Sequence, residues 1–443
     1  MQTSKVIAVN FRCKNSAVHP VHGRLRLTAT LLLLCISSWT VQAAELPLGG
    51  DVQGLLDYAR THNPAFAAAR HEADAAALRV VSAEALPDPV LRTELMDFTN
   101  RGTNRGASLL PSQVGASRYL LMQEVPWFGR RGLQRGVAEA QSGQARGQTS
   151  ATWAALAGNI KSVYAQSYYL AGSEKLTRET LDLMGSLEQV ARARYANGLA
   201  AQQDVIRAQL EQTDLRTELL ELENMQHHML GRLNTLLSRP AMTPLAQPAQ
   251  LRPIPVAARL DLATLNEKLR ARNPQLQMAE AGITEAEQSR DLAYNNRYPG
   301  FTLGVAPTQT GNSVKSWDLM VEFNIPLQQG ARRSQEREAE SRVAASSARR
   351  EALLNQMRAD LSESVSGLDT ALRTESLLVT RLLPQVELGY QSALAAYENG
   401  RVDFATLLEA QRQILKARRQ QLKSQLEAQL RLSEIESLLG EEL

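Results

Sequence analysis

Strict alternation of apolar and polar residues marks two short stretches in the second half of the chain. In WDLMVEFNIP (317–326) every second position is apolar, and FTLGV (301–305) follows the same rule. A period of two places successive side chains on opposite faces of a strand. Both stretches therefore predict strands, over about 300–307 and 316–325. The segment QTGNSVK between them has turn chemistry and predicts a hairpin.

The first half of the chain carries a matching pair of strands. VLRTELMDF and SRYLLMQEV predict strands over about 90–98 and 117–125, with a loop rich in Gly, Asn and Ser between them. Two interpretations of the four strands are open. In one, an antiparallel sheet covers a soluble core. In the other, the strands belong to a membrane β-barrel, with apolar side chains facing lipid and polar side chains facing a lumen.

The rest of the pattern is helical and unusually long. Proline is absent from residues 127–239 and 327–383, and proline blocks helical hydrogen bonds. After each strand pair we therefore predict a helical hairpin, over about 129–238 and 329–440. Apolar residues at three-, four- and seven-residue steps predict a coiled-coil-like seam along these helices: Leu215, Leu219, Leu222, Met225, Met229, Leu233, Leu236, Leu408, Leu415 and Leu422.

The whole plan occurs twice along the chain. The tripeptides at 62–64 and 272–274 share Asn-Pro, and YANGLAAQQDVIRAQ (195–209) matches YENGRVDFATLLEAQ (397–411). The offsets between matching segments drift only slightly, as changes in loop length would produce. Asn-Gly is a signal for a helix C-cap turn, because glycine accepts a positive φ. We therefore predict that each quoted phrase forms the tip of a long helical hairpin.

This duplication predicts the domain organisation. The first repeat is expected at 44–239 and the second at 259–443, and the proline-rich segment 240–258 connects them. Each repeat is predicted to contain a helix, then a strand hairpin, then the long helical hairpin.

The first 43 residues are a predicted signal peptide. Arg24 and Arg26 precede an apolar run, and VQAAE supplies a small-residue cleavage site. Both cysteines, Cys13 and Cys35, lie in this segment, so the mature chain is expected to lack disulfides and thiolate chemistry. Since polar residues interrupt every later apolar window, we expect an exported chain that is either soluble or a membrane β-barrel.

Composition and motifs narrow the function. The net charge is only +3, without the basic excess of a nucleic-acid binder. The sequence has no nucleophile elbow, phosphate loop, HExxH motif or carboxylate pair placed for catalysis, so neither an enzyme nor a cofactor is predicted. MQHHML (225–230) offers thioether and imidazole ligands that suit copper(I). Its methionines also continue the apolar seam, so we interpret them as core residues and predict no metal site.

Taken together, these features resemble the TolC-type outer-membrane efflux proteins. The duplication, the strand pairs, the QEVPWFGRR entry into a helix and the two Tyr-x-x-Gly tips carry the resemblance over essentially the whole mature chain. QEVPWFGRR is similar to the Pro-Trp-Pro-Gly-Lys segment of the heavy-metal cation branch, the CusC/CzcC-like proteins. Phe128 stands in place of the second proline of that segment, and Arg130 in place of its lysine.

The resemblance implies a fold and an assembly. The expected protein is mainly α with a membrane β-barrel. A homotrimer would form one twelve-stranded barrel in the outer membrane of a Gram-negative bacterium and a long hollow α-barrel in the periplasm. The implied partners are outer-membrane lipid, a periplasmic adaptor and an inner-membrane RND-type pump, with heavy-metal cations as cargo. The alternatives are a duct for drug efflux or type I protein secretion, and a periplasmic coiled-coil scaffold without a barrel.

The resemblance also implies a periplasmic gate. The acidic ring positions of the family, just past the second tip, match Thr406 and Glu409, so one of the two remains acidic. A ring of carboxylates in a narrow mouth favours cations and repels anions. Asp403 is a further gate candidate. For Glu409 and Asp403 the alternative is an ordinary solvated charge in the first turns of a helix.

A latch and a docking surface complete the implied site. Asp204 matches the latch position of the first repeat, and Tyr397 matches its hydroxyl partner. Val402 occupies the place of an arginine partner, for which the adjacent Arg401 could substitute. The adaptor is expected to dock on the exposed turns, at Asn197, Gly198, Leu199, Asn399, Gly400 and Arg401.

Overall fold

The computed structural model describes residues 48–100 and 106–443, and the predicted signal peptide lies outside these residues. The first half contains α1 (Val52–His62), α2 (Pro64–Glu84), β1 (Val90–Met96), β2 (Ala116–Val125), α3 (Arg130–Ala196) and α4 (Gln202–Leu236). The second half repeats this order as α5 (Leu262–Arg272), α6 (Pro274–Asn295), β3 (Phe301–Thr310), β4 (Ser313–Phe323), α7 (Gln329–Leu377), α8 (Leu383–Glu398) and α9 (Phe404–Leu439). Among the described helices, none is long and apolar enough to cross a bilayer.

The four strands form one antiparallel sheet in the order β1-β2-β3-β4, so the two repeats pair through β2 and β3. The hairpin loop of the second repeat is shorter than the sequence predicts. Only Gly311 and Asn312 lie between β3 and β4, and Gly311 has φ +60, in the left-handed region that glycine tolerates. Because the loop is so tight, β3 extends to Thr310 and β4 begins at Ser313 instead of near 316.

The two faces of the sheet differ in chemistry. Leu91, Leu121, Val305 and Leu319 pair in one row across all four strands, and their exposure ranges from 45% for Val305 to 75% for Leu319. The opposite face carries a small apolar cluster and a set of charged residues: Arg92, Glu94, Arg118, Glu124, Asp318 and Glu322. The protomer therefore exposes a contiguous apolar surface of a kind that soluble monomers rarely show.

Three apolar cores hold the helices together. One lies between α1, α2, α3 and α4, and its counterpart lies between α5, α6, α7 and α9. The third combines residues of α3, α4, α8 and α9, so the two hairpins share it. The predicted seam is buried at Leu215, Leu222, Leu408 and Leu415, but Met225 is 44% exposed, so the seam prediction is wrong at that residue.

The helix entering the second tip is interrupted, unlike its counterpart in the first repeat. Leu378–Leu382 form a π-helical turn between α7 and α8, which ends two residues before Pro384. Proline has no N–H to donate and its ring crowds the preceding turn, so the helix widens there. In the first repeat, α3 continues unbroken for 67 residues, which at 1.5 Å per residue is about 100 Å.

The repeated Asn-Pro pairs join short helices to long ones. Asn63 caps α2, because its Oδ1 accepts a hydrogen bond from Phe66 N at 3.0 Å, while its Nδ2 donates to Leu236 O at the end of α4, at 2.9 Å. Asn273 makes the equivalent two bonds in the second repeat, at 2.8 and 2.6 Å. Both side chains are buried. Asn63 therefore holds the start of α2 against the end of α4, and Asn273 holds the start of α6 against the end of α9.

Replacing Asn273 with alanine removes both of its hydrogen bonds and leaves the Leu438 carbonyl without its side-chain donor. We expect Asn273→Ala to lower the free energy of unfolding by about 1–3 kcal/mol. The thermal unfolding midpoint, followed by far-UV circular dichroism, measures the change. Asn266→Ala is the matched control, because the Asn266 amide donates only to Leu262 O in its own helix. Equal midpoints for wild type and Asn273→Ala would contradict this role.

Candidate functional site

The two hairpin tips have the same backbone geometry. In the first, Gly198 has φ +70 and the N–H of Leu199 donates to the carbonyl of Arg194 at 2.8 Å. The second tip repeats both features at Gly400 and Arg401. This is the Schellman arrangement, which needs a left-handed residue after the helix end, and it confirms the predicted C-cap turns. All the predicted docking residues are exposed: Asn197, Gly198, Leu199, Asn399, Gly400 and Arg401.

Directly behind the turns, the two hairpins pack into one apolar core. The rings of Tyr397 and Phe404 meet edge to face with their centroids 5.6 Å apart, and Leu407 beside them is fully buried. Met184 and Ala208 of the first hairpin belong to the same core. The tips of the two repeats are therefore held side by side within one protomer.

The guanidinium that contacts Tyr397 belongs to Arg194. Its Cζ lies 5.0 Å from the ring centroid, and its Nη1 donates to the carbonyl of Glu398 at 2.8 Å, so Arg194 links the ends of α3 and α8. Val402 packs against the tip core. Among the described residues, Arg401 makes no side-chain hydrogen bond or ion pair. In the sequence, arginine precedes the tyrosine of the first tip, whereas alanine precedes the tyrosine of the second. This difference was the only signal that could have pointed to a role for Arg194.

The two aspartates near the tips have different environments. Asp403 is the N-cap of α9, and its carboxylate accepts hydrogen bonds from the N–H and the hydroxyl of Thr406 at 2.9 and 2.6 Å. These bonds lower the pKa of Asp403. Asp204 is half-buried in the first turn of α4, and burial raises its pKa, although Arg207 opposes the shift. Asp403 is thus occupied in capping its helix, whereas Asp204 is the more readily protonated.

The hydroxyl of Tyr397 is buried and has no hydrogen-bond partner among the described residues. Burial raises the pKa of Tyr397, and the nearby carboxylate of Asp204 raises it further. The predicted latch residues are therefore close enough to interact electrostatically, yet no bond joins them within the protomer. A buried polar group without a partner is uncommon in folded proteins.

Glu409 lies in the second turn of α9 and is exposed. Its carboxylate accepts one long hydrogen bond, from Gln413 Nε2 at 3.4 Å. The nearest arginine on the same helix, Arg412, is instead bound by Glu211 of α4, whose two carboxylate oxygens lie 3.2 and 3.1 Å from Arg412 Nε. Among the described residues, Glu409 therefore forms no ion pair, although Arg412 is near enough for the two charges to interact.

MQHHML was a candidate for metal binding as well as for the core. Met229 packs against the core of the first repeat, while Met225, His227 and His228 are exposed. Within residues 48–100 and 106–443, no group of three or more His, Asp or Glu side chains is arranged to hold a metal ion.

Comparison with known proteins adds sequence relatives and a shared fold. The cobalt-zinc-cadmium resistance protein CzcC of Cupriavidus metallidurans is 23% identical over 397 residues, covering 83% of this chain and 84% of CzcC. The pyoverdine export outer membrane protein OpmQ of Pseudomonas aeruginosa is 24% identical over 332 residues, covering 71% of this chain and 66% of OpmQ. The outer membrane protein VceC of Vibrio cholerae has a similar structure, with a TM-score of 0.75, 17% identity and coverage of 88% of this chain and 96% of VceC.

The sequence also matches the family described as outer membrane efflux protein, over residues 55–239 and 265–441. Each matched segment contains one strand hairpin and one long helical hairpin. The chain therefore belongs to the outer membrane efflux protein family, and it is an outer-membrane channel protein rather than an enzyme.

Proposed function

We propose that three copies of this chain form one duct, with a twelve-stranded β-barrel in the outer membrane and a hollow α-helical barrel in the periplasm. The sheet supports this most strongly, because one face exposes apolar side chains while the other carries charges. Lipid outside a barrel and water inside it require that pattern. A periplasmic scaffold without a barrel would leave the apolar face in water.

The edges of the sheet favour closure between copies. In the described part of the protomer, β1 and β4 each lack a second neighbouring strand, and unpaired strand edges are prone to join other chains. Pairing β1 of one copy with β4 of the next would leave no free edge. The strands contain 7, 10, 10 and 11 residues, close to the length of about 9–11 residues that crosses a bilayer.

In this proposal the mature chain consists of the repeats 44–239 and 259–443, joined by the connector 240–258, after removal of residues 1–43. The two family matches, over 55–239 and 265–441, support that division. A periplasmic adaptor docks on the exposed turns of both tips, and an inner-membrane RND-type pump drives the transport. Conduction through the duct itself is passive.

Glu409 is the proposed centre of the gate. Repeated three times around the axis of a trimer, its unpaired carboxylate would form an acidic ring that attracts cations. Asp403 would border this ring from its capping position. Asp204 and the hydroxyl of Tyr397, its implied partner, would latch the closed state, with Arg401 available at the tip as a further partner.

Heavy-metal cations are the proposed cargo. An acidic mouth suits cations, and CzcC, a relative that covers most of this chain, is named for cobalt, zinc and cadmium resistance. The name of OpmQ states the export of pyoverdine, so a duct for organic molecules is the second candidate. Such a duct would serve drug efflux or type I protein secretion.

Removing the charge of Glu409 tests the gate. Glu409→Ala is expected to raise single-channel conductance in planar lipid bilayers, because it widens the mouth. It should also lower the cation-to-anion permeability ratio at least about fivefold, because even one unit charge about 4 Å away in water changes the energy of each ion by about 1 kcal/mol. Glu427→Ala is the matched control, since Glu427 lies further along α9 and is bound to Arg431. Unchanged conductance and selectivity in Glu409→Ala would remove Glu409 from the gate.

Deleting the gene tests the cargo. Because an efflux duct for metals lowers their concentration in the cell, we expect the deletion strain to grow less well on graded zinc, cobalt and cadmium salts, and wild-type expression to restore growth. Sensitivity to organic toxic compounds serves as the comparison. A strain that becomes sensitive to organic compounds while its metal tolerance is unchanged would exclude metal cations and favour the second candidate.

A further inference from the structure

Two ion pairs join the return helices α4 and α9, which belong to different repeats. Glu211 of α4 binds Arg412 of α9, and Glu218 binds Arg419 seven residues further along both helices. The first pair lies one helical turn from Glu409, whereas the second lies two further turns away. Both are arginine–glutamate pairs. They differ in their distance from the acidic mouth, and Glu218 is less buried than Glu211, with a side chain that is 31% exposed.

Three carboxylates lie near enough to act on the charge of Arg412: those of Glu211, Glu409 and Asp214. Residues three apart on a helix are neighbours on its surface, so the guanidinium could turn towards Glu409 as well as towards Glu211. It is bound to Glu211, with Nε 3.2 and 3.1 Å from the two carboxylate oxygens, while Glu409 receives only a long bond from Gln413.

Burial explains which carboxylate Arg412 binds. The Glu211 side chain is only 10% exposed, whereas that of Arg412 is 51% exposed. A buried carboxylate is strongly destabilising without a partner, and contacts from both of its oxygens to a guanidinium are among the stronger charged interactions. A pair between Arg412 and the exposed Glu409 would contribute little. The guanidinium therefore stays on Glu211.

We propose that Glu211 is a positioning residue for ion selectivity, because it neutralises Arg412 and prevents the guanidinium from pairing with Glu409. The inference rests on the proposed role of Glu409 at the channel mouth. With Glu211 present, the three side chains Glu211, Arg412 and Glu409 carry one net negative charge per protomer. Without the Glu211 carboxylate they carry none, even though Glu409 itself is intact. Glu211 thus governs the selectivity of the mouth from a buried position that permeating ions do not touch.

Glu211→Gln tests this with little change in side-chain volume. The cation-to-anion permeability ratio, obtained from reversal potentials under a potassium chloride gradient, is expected to fall by a factor of about two to five, as one added unit charge nearby predicts. The double variant Glu211→Gln/Arg412→Gln removes the freed cation, so the ratio should return to the wild-type value. Loss of packing alone would not be rescued in this way.

Glu218→Gln is the matched control. It breaks the equivalent ion pair further from the mouth and should leave the ratio unchanged. Assembled Glu211→Gln channels with wild-type selectivity would overturn the inference. An equal fall of the permeability ratio in Glu218→Gln, or a ratio that stays low in the double variant, would also overturn it.

If Glu211→Gln yields no channels, Arg412→Gln is measured in its place. The inference predicts a ratio equal to or above wild type, and a fall would overturn it.

Glu409→Gln separates this inference from the proposed gate. An unchanged permeability ratio in Glu409→Gln would show that the mouth is not controlled by Glu409, and the inference would fail together with the gate. A reduced ratio in Glu409→Gln combined with a wild-type ratio in Glu211→Gln would overturn only the positioning role of Glu211.

Discussion

The uncovered apolar face of the four-stranded sheet is the constraint on which the rest of the structure depends. Hairpins from both repeats supply it, and pairing between β2 and β3 joins them into one surface. No helix of the described protomer covers that surface, since Leu91, Leu121 and Leu319 remain more than half exposed. The sheet cannot be turned over to solve this, because the charged residues of the opposite face would then lie in the apolar surroundings. An apolar surrounding on one side and water on the other satisfy both faces, which agrees with the outer-membrane family of the chain.

The long helices are held together by contacts between the repeats. In the last turn of α9, Glu436 binds Lys161 of α3 at 2.9 Å and Arg252 of the connector at 2.8 Å. Both Lys161 and Glu436 are buried, and this cluster of opposite charges compensates buried charges that would otherwise destabilise the fold. Nearer the tip, Arg419 and Arg412 bind α4. The return helix of the second repeat is thus fixed to the first repeat along much of its length.

The regular part of this structure could be predicted from local pattern. Alternation in residues 317–326 indicated a strand, and the absence of proline indicated long helices, because both signals act over a few neighbouring residues. The paired Asn-Gly turns were equally local, and Gly198 and Gly400 adopt the expected positive φ. The two-residue hairpin at Gly311 and the π-helical turn before Pro384 were missed, since a turn signal does not fix the loop length and a proline does not fix how the helix accommodates it.

The parts of the candidate site that escaped prediction are contacts between residues about two hundred positions apart. Arg194 and Tyr397 meet across the two tips, and Glu211 binds Arg412 across the two return helices. Which charged residues meet depends on the rotation and register of four packed helices, and a single sequence does not fix these. The resemblance pointed to Glu409 itself, but the pairing of the nearby Arg412 with Glu211 instead of Glu409 became visible only with the packing.

Cysteine cross-linking between the free edges of the sheet tests the central claim most directly. Since the native cysteines lie in the predicted signal peptide, introduced cysteines would be the only ones in the mature chain. Glu94→Cys in β1 can be combined in turn with cysteines at Ser316, Asp318 or Met320 of β4, which share its face of the sheet. A barrel closed from three sheets predicts that at least one combination, oxidised in outer membranes, gives covalent dimers and trimers and nothing larger. Monomers in every combination, or a ladder extending beyond trimers, would contradict it.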